Sequence, residues 1–278
     1  MFQSFSVNIP TIPEKEFDLR AYGAIGDGRT SNTEAFRKAI EAAAEEGGKV
    51  IVPNGIWLTG PIRLYSNLEL HLQDNAVILF DKNPEEYPLV VTDFEGITRI
   101  RTKSPIYAEN AENIAITGHG IINGNGHLWR PVKEFKMTAR QWKELLGKSP
   151  YVIESKEGGI WFPARNMFDT AITGEIHPGD YDTFEEALAA ASPHYDFYRP
   201  VMVSLRHCRN ILIEDVTLQD SPAWNVHPYF CEHLTVRGVR IINPAYAQNG
   251  DGIDVESCRY VHIHHSEFQT GDDGICLK

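Results

Sequence analysis

Cys208-Arg209-Asn210-Ile211-Leu212-Ile213 recurs as Cys231-Glu232-His233-Leu234-Thr235-Val236 and again as Cys258-Arg259-Tyr260-Val261-His262-Ile263. The shifts are 23 and 27 residues, and a second short strand ending in Leu218, Ile241 or Phe268 follows each copy at a fixed offset. Asn113-Ile114-Ala115-Ile116 reads as an earlier copy of the same phase. Alternating aliphatics repeated at such shifts predict an all-β chain, a right-handed parallel β-helix in which each repeat is one coil. A sandwich pairs its strands antiparallel and requires no fixed shift.

Working outward, Val50-Ile51-Val52, Leu68-Glu69-Leu70-His71-Leu72 and Ala76-Val77-Ile78-Leu79-Phe80 read as further short strands between Pro, Gly and Asn turns. Ahead of them Phe36, Ala39, Ile40 and Ala43 form an apolar stripe that predicts a helix over 33–46, started by a Ser31/Glu34 capping box and stopped at Gly47-Gly48. It is placed as the cap on the open N-terminal end of the solenoid. Residues 130–198 break the repeat and hold two predicted helices, Ala139 to Leu146 after Thr138 and Thr183 to Ala191 after Asp182, among aromatic loops. Such a stretch builds a poor core by itself, so residues 1–278 are read as one domain, incomplete at the C-terminus, with 130–198 as an excursion from one coil.

The chain has 278 residues, 42% hydrophobic and 23% charged, enough for a substantial core, and no apolar run is long enough for a membrane span. Its net charge of −12 argues against nucleic acid and anionic membranes as partners, while leaving room for an acidic sugar met by a local cationic cluster. Met1 to Asn8 has neither a basic nor an apolar signal region, which predicts a cytoplasmic location. The four cysteines form no Cys-x-x-Cys pair, and Cys208, Cys231 and Cys258 share one phase of the repeat, as reduced wall residues would.

Asn249-Gly250-Asp251-Gly252-Ile253-Asp254 is followed by Gly271-Asp272-Asp273-Gly274-Ile275-Cys276, with Asp251 and Asp273 matched at a shift of 22 residues. Stacked coils lie about 4.8 Å apart, so Asp251 and Asp273 become neighbours with Asp272 beside them. Two such charges repel by about 3.5 kcal/mol at an effective dielectric near 20, a load that a scaffold seldom keeps without chemical use. With Val226, Ile253, Val255, Ile275 and Leu277 inward, the outward columns read Ser204, His227, Asp254, Cys276 and Arg206, Tyr229, Glu256, Lys278. Carboxylates beside Arg, Lys, His and Tyr suit cleavage of a glycosidic bond in an acidic sugar, with one proton donor of raised pKa, one base for water, and cations for uronate carboxylates. Inversion wants the two carboxyls about 6.5 to 9.5 Å apart, which a bare stack does not give, so side chains must diverge and Asp272 is the natural acid.

Asn249-Gly250-Asp251-Gly252-Ile253-Asp254 and Gly271-Asp272-Asp273 resemble the first two signature motifs of the family 28 glycoside hydrolases, the polygalacturonases. Ala21-Tyr22-Gly23-Ala24-Ile25-Gly26-Asp27-Gly28, Leu58-Thr59-Gly60-Pro61-Ile62, Ile116-Thr117-Gly118-His119-Gly120 and the stretch from Asp220 to Pro228 add to it. The resemblance implies a pectin-lyase-like solenoid that hydrolyses α-1,4-galacturonan, or its oligomers, with inversion and without cofactor or metal. It makes Asp272 the general acid and Asp251 and Asp273 the residues that hold and activate water, with Asn249 ordering the site. His227, Arg206, Tyr229 and Lys278 are the candidate substrate contacts. The excursion suggests attack at chain ends. The family's later Gly-His-Gly and Arg-x-Lys motifs do not occur after Asp273. The chain is accordingly expected to be an N-terminal piece of a longer, often secreted enzyme, inactive and prone to association by itself.

Plainer readings stand beside these. His227 suits a wall residue bonded to Asp254, and Lys278 suits a surface pair with Glu256. His262, His264 and His265 suit surface and wall, since adjacent strand positions face opposite ways. A Ca²⁺-dependent pectate lyase-like helix and a noncatalytic carbohydrate-binding helix remain the alternative functions. Oligomeric state is left open.

Overall fold

The computed structural model describes residues 6–278, so part of the N-terminal stretch read for an export signal lies outside the described residues. Three parallel sheets follow one another in each coil and make a parallel β-helix. Sheet 1 stacks Glu16–Asp18, Gly48–Val52, Leu68–Leu72, Glu112–Gly118, Arg209–Glu214, Glu232–Arg237 and Arg259–His264. Sheet 2 runs from Gly55–Thr59 to Glu267–Gln269, and sheet 3 from Ile62–Arg63 to Ile275–Leu277.

The registers explain the repeat. Val50, Leu70, Ile116, Ile213, Val236 and Ile263 pair successively in sheet 1. Trp57, Ile78, Ile122, Leu218, Ile241 and Phe268 do so in sheet 2. Ile62, Ile106, Val203, Val226, Ile253 and Ile275 complete the third column. The columns meet inside the coils in one continuous core. Each fully buried member contributes about 1.5 to 3 kcal/mol relative to exposure. The turn into sheet 1 carries its own column, Asn67, Asn113 and Asn210, all at positive φ. Asn113 Nδ2 donates to Asn67 Oδ1 at 3.0 Å, and Asn210 Nδ2 to Asn113 Oδ1 at 3.1 Å. Asparagine tolerates this left-handed geometry and its amide bridges the coil spacing.

Helix α1 (Thr33–Glu46) lies at the N-terminal end and buries Ala35, Phe36, Ala39, Ile40 and Ala43. Its start corrects the sequence reading. Asn32, not Ser31, is the N-cap, and there is no capping box. Asn32 instead takes the Ile25 N–H and donates to the Ile25, Thr30 and Leu58 carbonyls, while Glu34 pairs with Arg37. Tying down the preceding turn uses the side chain that would otherwise have capped the helix.

Both long insertions enter between sheet 2 and sheet 3. The first, not anticipated from the sequence, is an antiparallel hairpin of Leu89–Phe94 and Ile97–Thr102. Its loop, Glu95 and Gly96, has both φ angles positive, the two-residue geometry that matches strand twist. The second contains α2 (Ala139–Leu146), capped by the Thr138/Gln141 box, α3 (Arg165–Thr173), and α4 (Phe184–Ala191). Thr183, not Asp182, caps α4 in a box with Glu186. An antiparallel sheet of Val132–Lys133, Gly158–Trp161 and Val152–Ser155 also lies here. Ile100 of the hairpin packs with Ala187, Ala191 and Tyr198 of the excursion. Across the excursion, Glu112 pairs with Arg209, 97 residues away. Among the described residues no helix is long and apolar enough to cross a membrane. All four cysteines are free, with Cys208 and Cys231 buried.

Candidate active site

Asp251 and Asp273 sit at the turns entering successive strands of sheet 3. Gly252 N donates to Asp273 O at 2.9 Å and Asn225 N to Asp251 O at 3.0 Å, so the backbone ladder fixes both turns. A Cβ on Gly252 would stand 2.2 Å from Gly274 O, so only glycine permits the approach of these coils.

The stacking has the expected electrostatic result. Carboxylate oxygens of Asp251, Asp272 and Asp273 all lie within 4.8 Å of one another. Asp251 is 5% exposed, whereas Asp272 and Asp273 are exposed. Burial, then the charge of Asp272, pushes the Asp251 carboxyl up to about 6. Asp254, wholly buried, is pushed by burial and by Asp251 to about 7. One of its oxygens, an Asp251 oxygen and Cys276 Sγ also fall within 4.8 Å of one another. Burial and Asp273 raise the Cys276 thiol to about 12, and its Sγ lies 3.4 Å from Asp273 Oδ2. The raised carboxyls here are therefore the buried Asp251 and Asp254. Asp254 had been placed on the outward column but not among the reacting groups; its alignment beside Cys276 was the available signal.

The outward columns pair as expected, Ser204 with His227 and Arg206 with Tyr229, and Tyr229 bridges to Glu256. Their side-chain partners differ from expectation. His227 Nε2 meets Glu256 Oε2 at 2.8 Å rather than Asp254, because the buried Asp254 carboxylate turns toward Asp251 and Lys278. Burial lowers the His227 pKa against the pull of Glu256. Lys278 does not pair with Glu256; it reaches Glu95 at 2.8 Å and Asp254 at 3.5 Å, with its ammonium 4.2 Å from the Trp224 ring. Glu256 is already occupied by His227 and by Gly96 N at 2.7 Å. Arg206 binds Asp93 at 2.8 Å and lies 4.3 Å from the Tyr229 ring.

These partners place the hairpin across the outer face of sheet 3. Phe94 stacks on Trp224 with ring centroids 3.9 Å apart, and Glu95 and Gly96 at the tip hold Lys278 and Glu256. Asn249 sits at a positive φ of 53° and accepts from Arg199 Nη2 at 2.8 Å. Arg199 also donates to Pro222 O and Gln248 O, and burial lowers its pKa to about 9. Nothing in the local sequence marks Arg199, the residue just past the excursion, as a clamp. Lys136 Nζ donates to Gly271 O at 2.7 Å, which brings the excursion beside the acidic turn. His262 and His264 stack at 4.2 Å and His264 touches His265, so these rings do meet, but on sheet 1 and apart from the carboxylates.

Residues 144–278 match the sequence model of the glycosyl hydrolases family 28. An exo-poly-alpha-D-galacturonosidase of Dickeya chrysanthemi is 31% identical over 95% of this chain and 42% of its own length. A probable polygalacturonase of Vitis vinifera is 27% identical over 92% of this chain and 43% of its own. Among solved structures, a hyperthermoactive exopolygalacturonase from Thermotoga maritima aligns with a TM-score of 0.72 at 35% identity, covering 98% of this chain and 56% of that one. A polygalacturonase from Erwinia carotovora shares the fold with a TM-score of 0.63 at 20% identity, covering 99% of this chain and 60% of that one. The chain spans less than half the length of those two sequence relatives.

Proposed function

We propose, from the premise that the chain belongs to the glycosyl hydrolases family 28, that the protein hydrolyses α-1,4-linked galacturonan from a chain end with inversion. The observation that carries hydrolysis is the convergence of Asp251, Asp272 and Asp273 within 4.8 Å. This is closer than the separation of about 6.5 to 9.5 Å that inversion wants, so the expected divergence of acid and base is not what the structure shows, and inversion rests on the family resemblance. Asp251, pushed up to about 6 by burial and by the charge of Asp272, keeps a proton within the cluster well above the usual carboxylate range. Asp272, exposed on the cleft side, gives the proton to the glycosidic oxygen as its bond to the anomeric carbon breaks. Asp251 and Asp273 orient the water and receive its proton as its oxygen bonds to that carbon from the opposite face. Asn249, held by Arg199, orders the turn that presents Asp251.

End-on attack is favoured by the hairpin as well as by the excursion. A polymer laid along sheet 3 past the carboxylates would meet Phe94, Glu95 and Gly96, which are pinned to Trp224, Lys278 and Glu256. A cleft closed at one end accepts a terminal sugar or two. De-esterified galacturonan given to the full-length protein tests both points. Saturated mono- or digalacturonate is the expected sole early product; unsaturated uronate absorbance would overturn hydrolysis, and early mixed oligomers would overturn end-on action. The three-oxygen cluster also favours a divalent cation as a second reading, that of a lyase. Loss of activity in EDTA would select it.

A further inference from the structure

Beneath the hairpin, against the outer face of sheet 3, lies a pocket of about 60 Å³. Arg101, Lys103 and Arg206 line it, facing the carboxylates of Asp93 and Glu109. Asp93 is bound to Arg206. Among the described residues Arg101 and Lys103 have only aromatic side-chain contacts: each cation lies 3.9 Å from a ring, Phe94 and Tyr107 respectively. Arg101 Nε is buried without a hydrogen-bond partner. Glu175 and Glu95 attract Arg101, and Glu109 attracts Lys103, but burial outweighs them and lowers both pKa values, Arg101 to about 10. A half-buried cation without an ion-paired anion is costly, and this chain has 38 acidic side chains against 26 basic ones from which to supply one.

The pocket also touches Ser204 and His227, which continue along one column toward Asp254 and Cys276. At about 4.8 Å per coil its His227 edge lies one coil from the strand of Asp254 and Tyr107, under Lys103, lies three, so the pocket spans about one to three sugar lengths from the acidic cluster. We infer that this pocket anchors the carboxylate of the uronate on the hairpin side of the cleaved bond, with Arg101 and Lys103 as its cations. A cavity of about 150 Å³ accommodates benzene, so a space of about 60 Å³ admits a carboxylate and not a whole pyranose. The ring therefore stays in the cleft while its acid group enters the pocket. The identity of the sugar rests on the proposed hydrolase reading; the anion site rests on the unpartnered cations.

Calorimetric titration of the protein with galacturonate, galactose and acetate tests this. Galacturonate should bind, galactose should bind at least about tenfold more weakly, and Arg101→Met and Lys103→Gln should each weaken galacturonate about tenfold or more. In turnover of short galacturonate oligomers both variants should raise KM with kcat held within about twofold. Arg101→Met also removes the contact with Phe94, so Lys103→Gln, checked for native circular dichroism, decides if that variant misfolds. Unchanged galacturonate affinity in folded Lys103→Gln would overturn the inference. Acetate binding as tightly as galacturonate, with the same sensitivity to both variants, would overturn the uronate assignment in favour of any small carboxylate. Lys103-dependent galacturonate binding without hydrolysis would support the pocket and sink only the proposed activity.

Discussion

Burial holds the Asp254 carboxyl near 7 and Asp251 near 6, both above the 3.8 of a free side chain. Between those values the folded protein binds more protons than the unfolded chain. Their contribution to stability is therefore complete below about 3.8 and is lost as pH rises through about 6 and 7. Denaturant unfolding at about pH 5 and about pH 8 should show lower stability at the higher pH, and Asp254→Asn should shrink that difference by on the order of 1 to 3 kcal/mol. An unchanged difference in the variant would contradict the assignment. Asp272 is exposed, so Asp272→Asn should leave thermal stability near that of the wild type while initial rates on galacturonan fall about 10² to 10⁴-fold. Near-normal turnover by a folded Asp272→Asn would remove it from the acid role. At this scale the sequence displayed backbone position better than side-chain choice. A shift of one coil put Asp251 against Asp273, but whether His227 met Asp254 or Glu256 depended on rotamers and on a hairpin that competes for the same groups. Arg199 reaches Asn249 across 50 residues, and no local pattern encodes such a contact.

Elements were legible where they repeat. The coils announce themselves because three inward columns demand an aliphatic at each turn of the solenoid, so Ile211, Leu234 and Val261 recur in phase. The hairpin repeats nothing. Its strands alternate over Leu89–Phe94 and Ile97–Thr102, and its only turn signal is Gly96 after Glu95, weaker than the usual Asn-Gly or Asp-Gly pair. Shortening the hairpin by deleting Asp93 to Thr98 should therefore open the closed end of the cleft. Chromatography of early products should then show longer oligomers; retention of a single short product would return the end-on preference to the excursion alone. The asparagine column offers a second test. Asn113→Ala loses two amide hydrogen bonds and places alanine at a φ of 56°, which should cost about 1 to 3 kcal/mol in denaturant unfolding. A loss within experimental error would mean the column follows the coils and does not hold them.

Across the whole molecule, the solenoid and its insertions divide the work: the columns of sheets 1 to 3 set the coil spacing that crowds the carboxylates, and everything that shapes the cleft enters between sheets 2 and 3. That division leaves one neighbour contact unlike the others. Most adjacent coils after the excursion meet across 23 to 27 residues, whereas Glu112 waits 97 residues for Arg209. Loop closure at that junction costs about 1.2 kcal/mol more than at a 23-residue step, two doublings of loop length, before any packing repays it. The coils on either side, each closed by shorter loops, can zip up first and dock later. Refolding should then show two kinetic phases, with amide protection of Glu112–Gly118 and Arg209–Glu214 arriving in the slower one. Replacing the excursion with a short turn should merge the phases, so the segment that shapes the cleft also sets the pace at which the solenoid is completed.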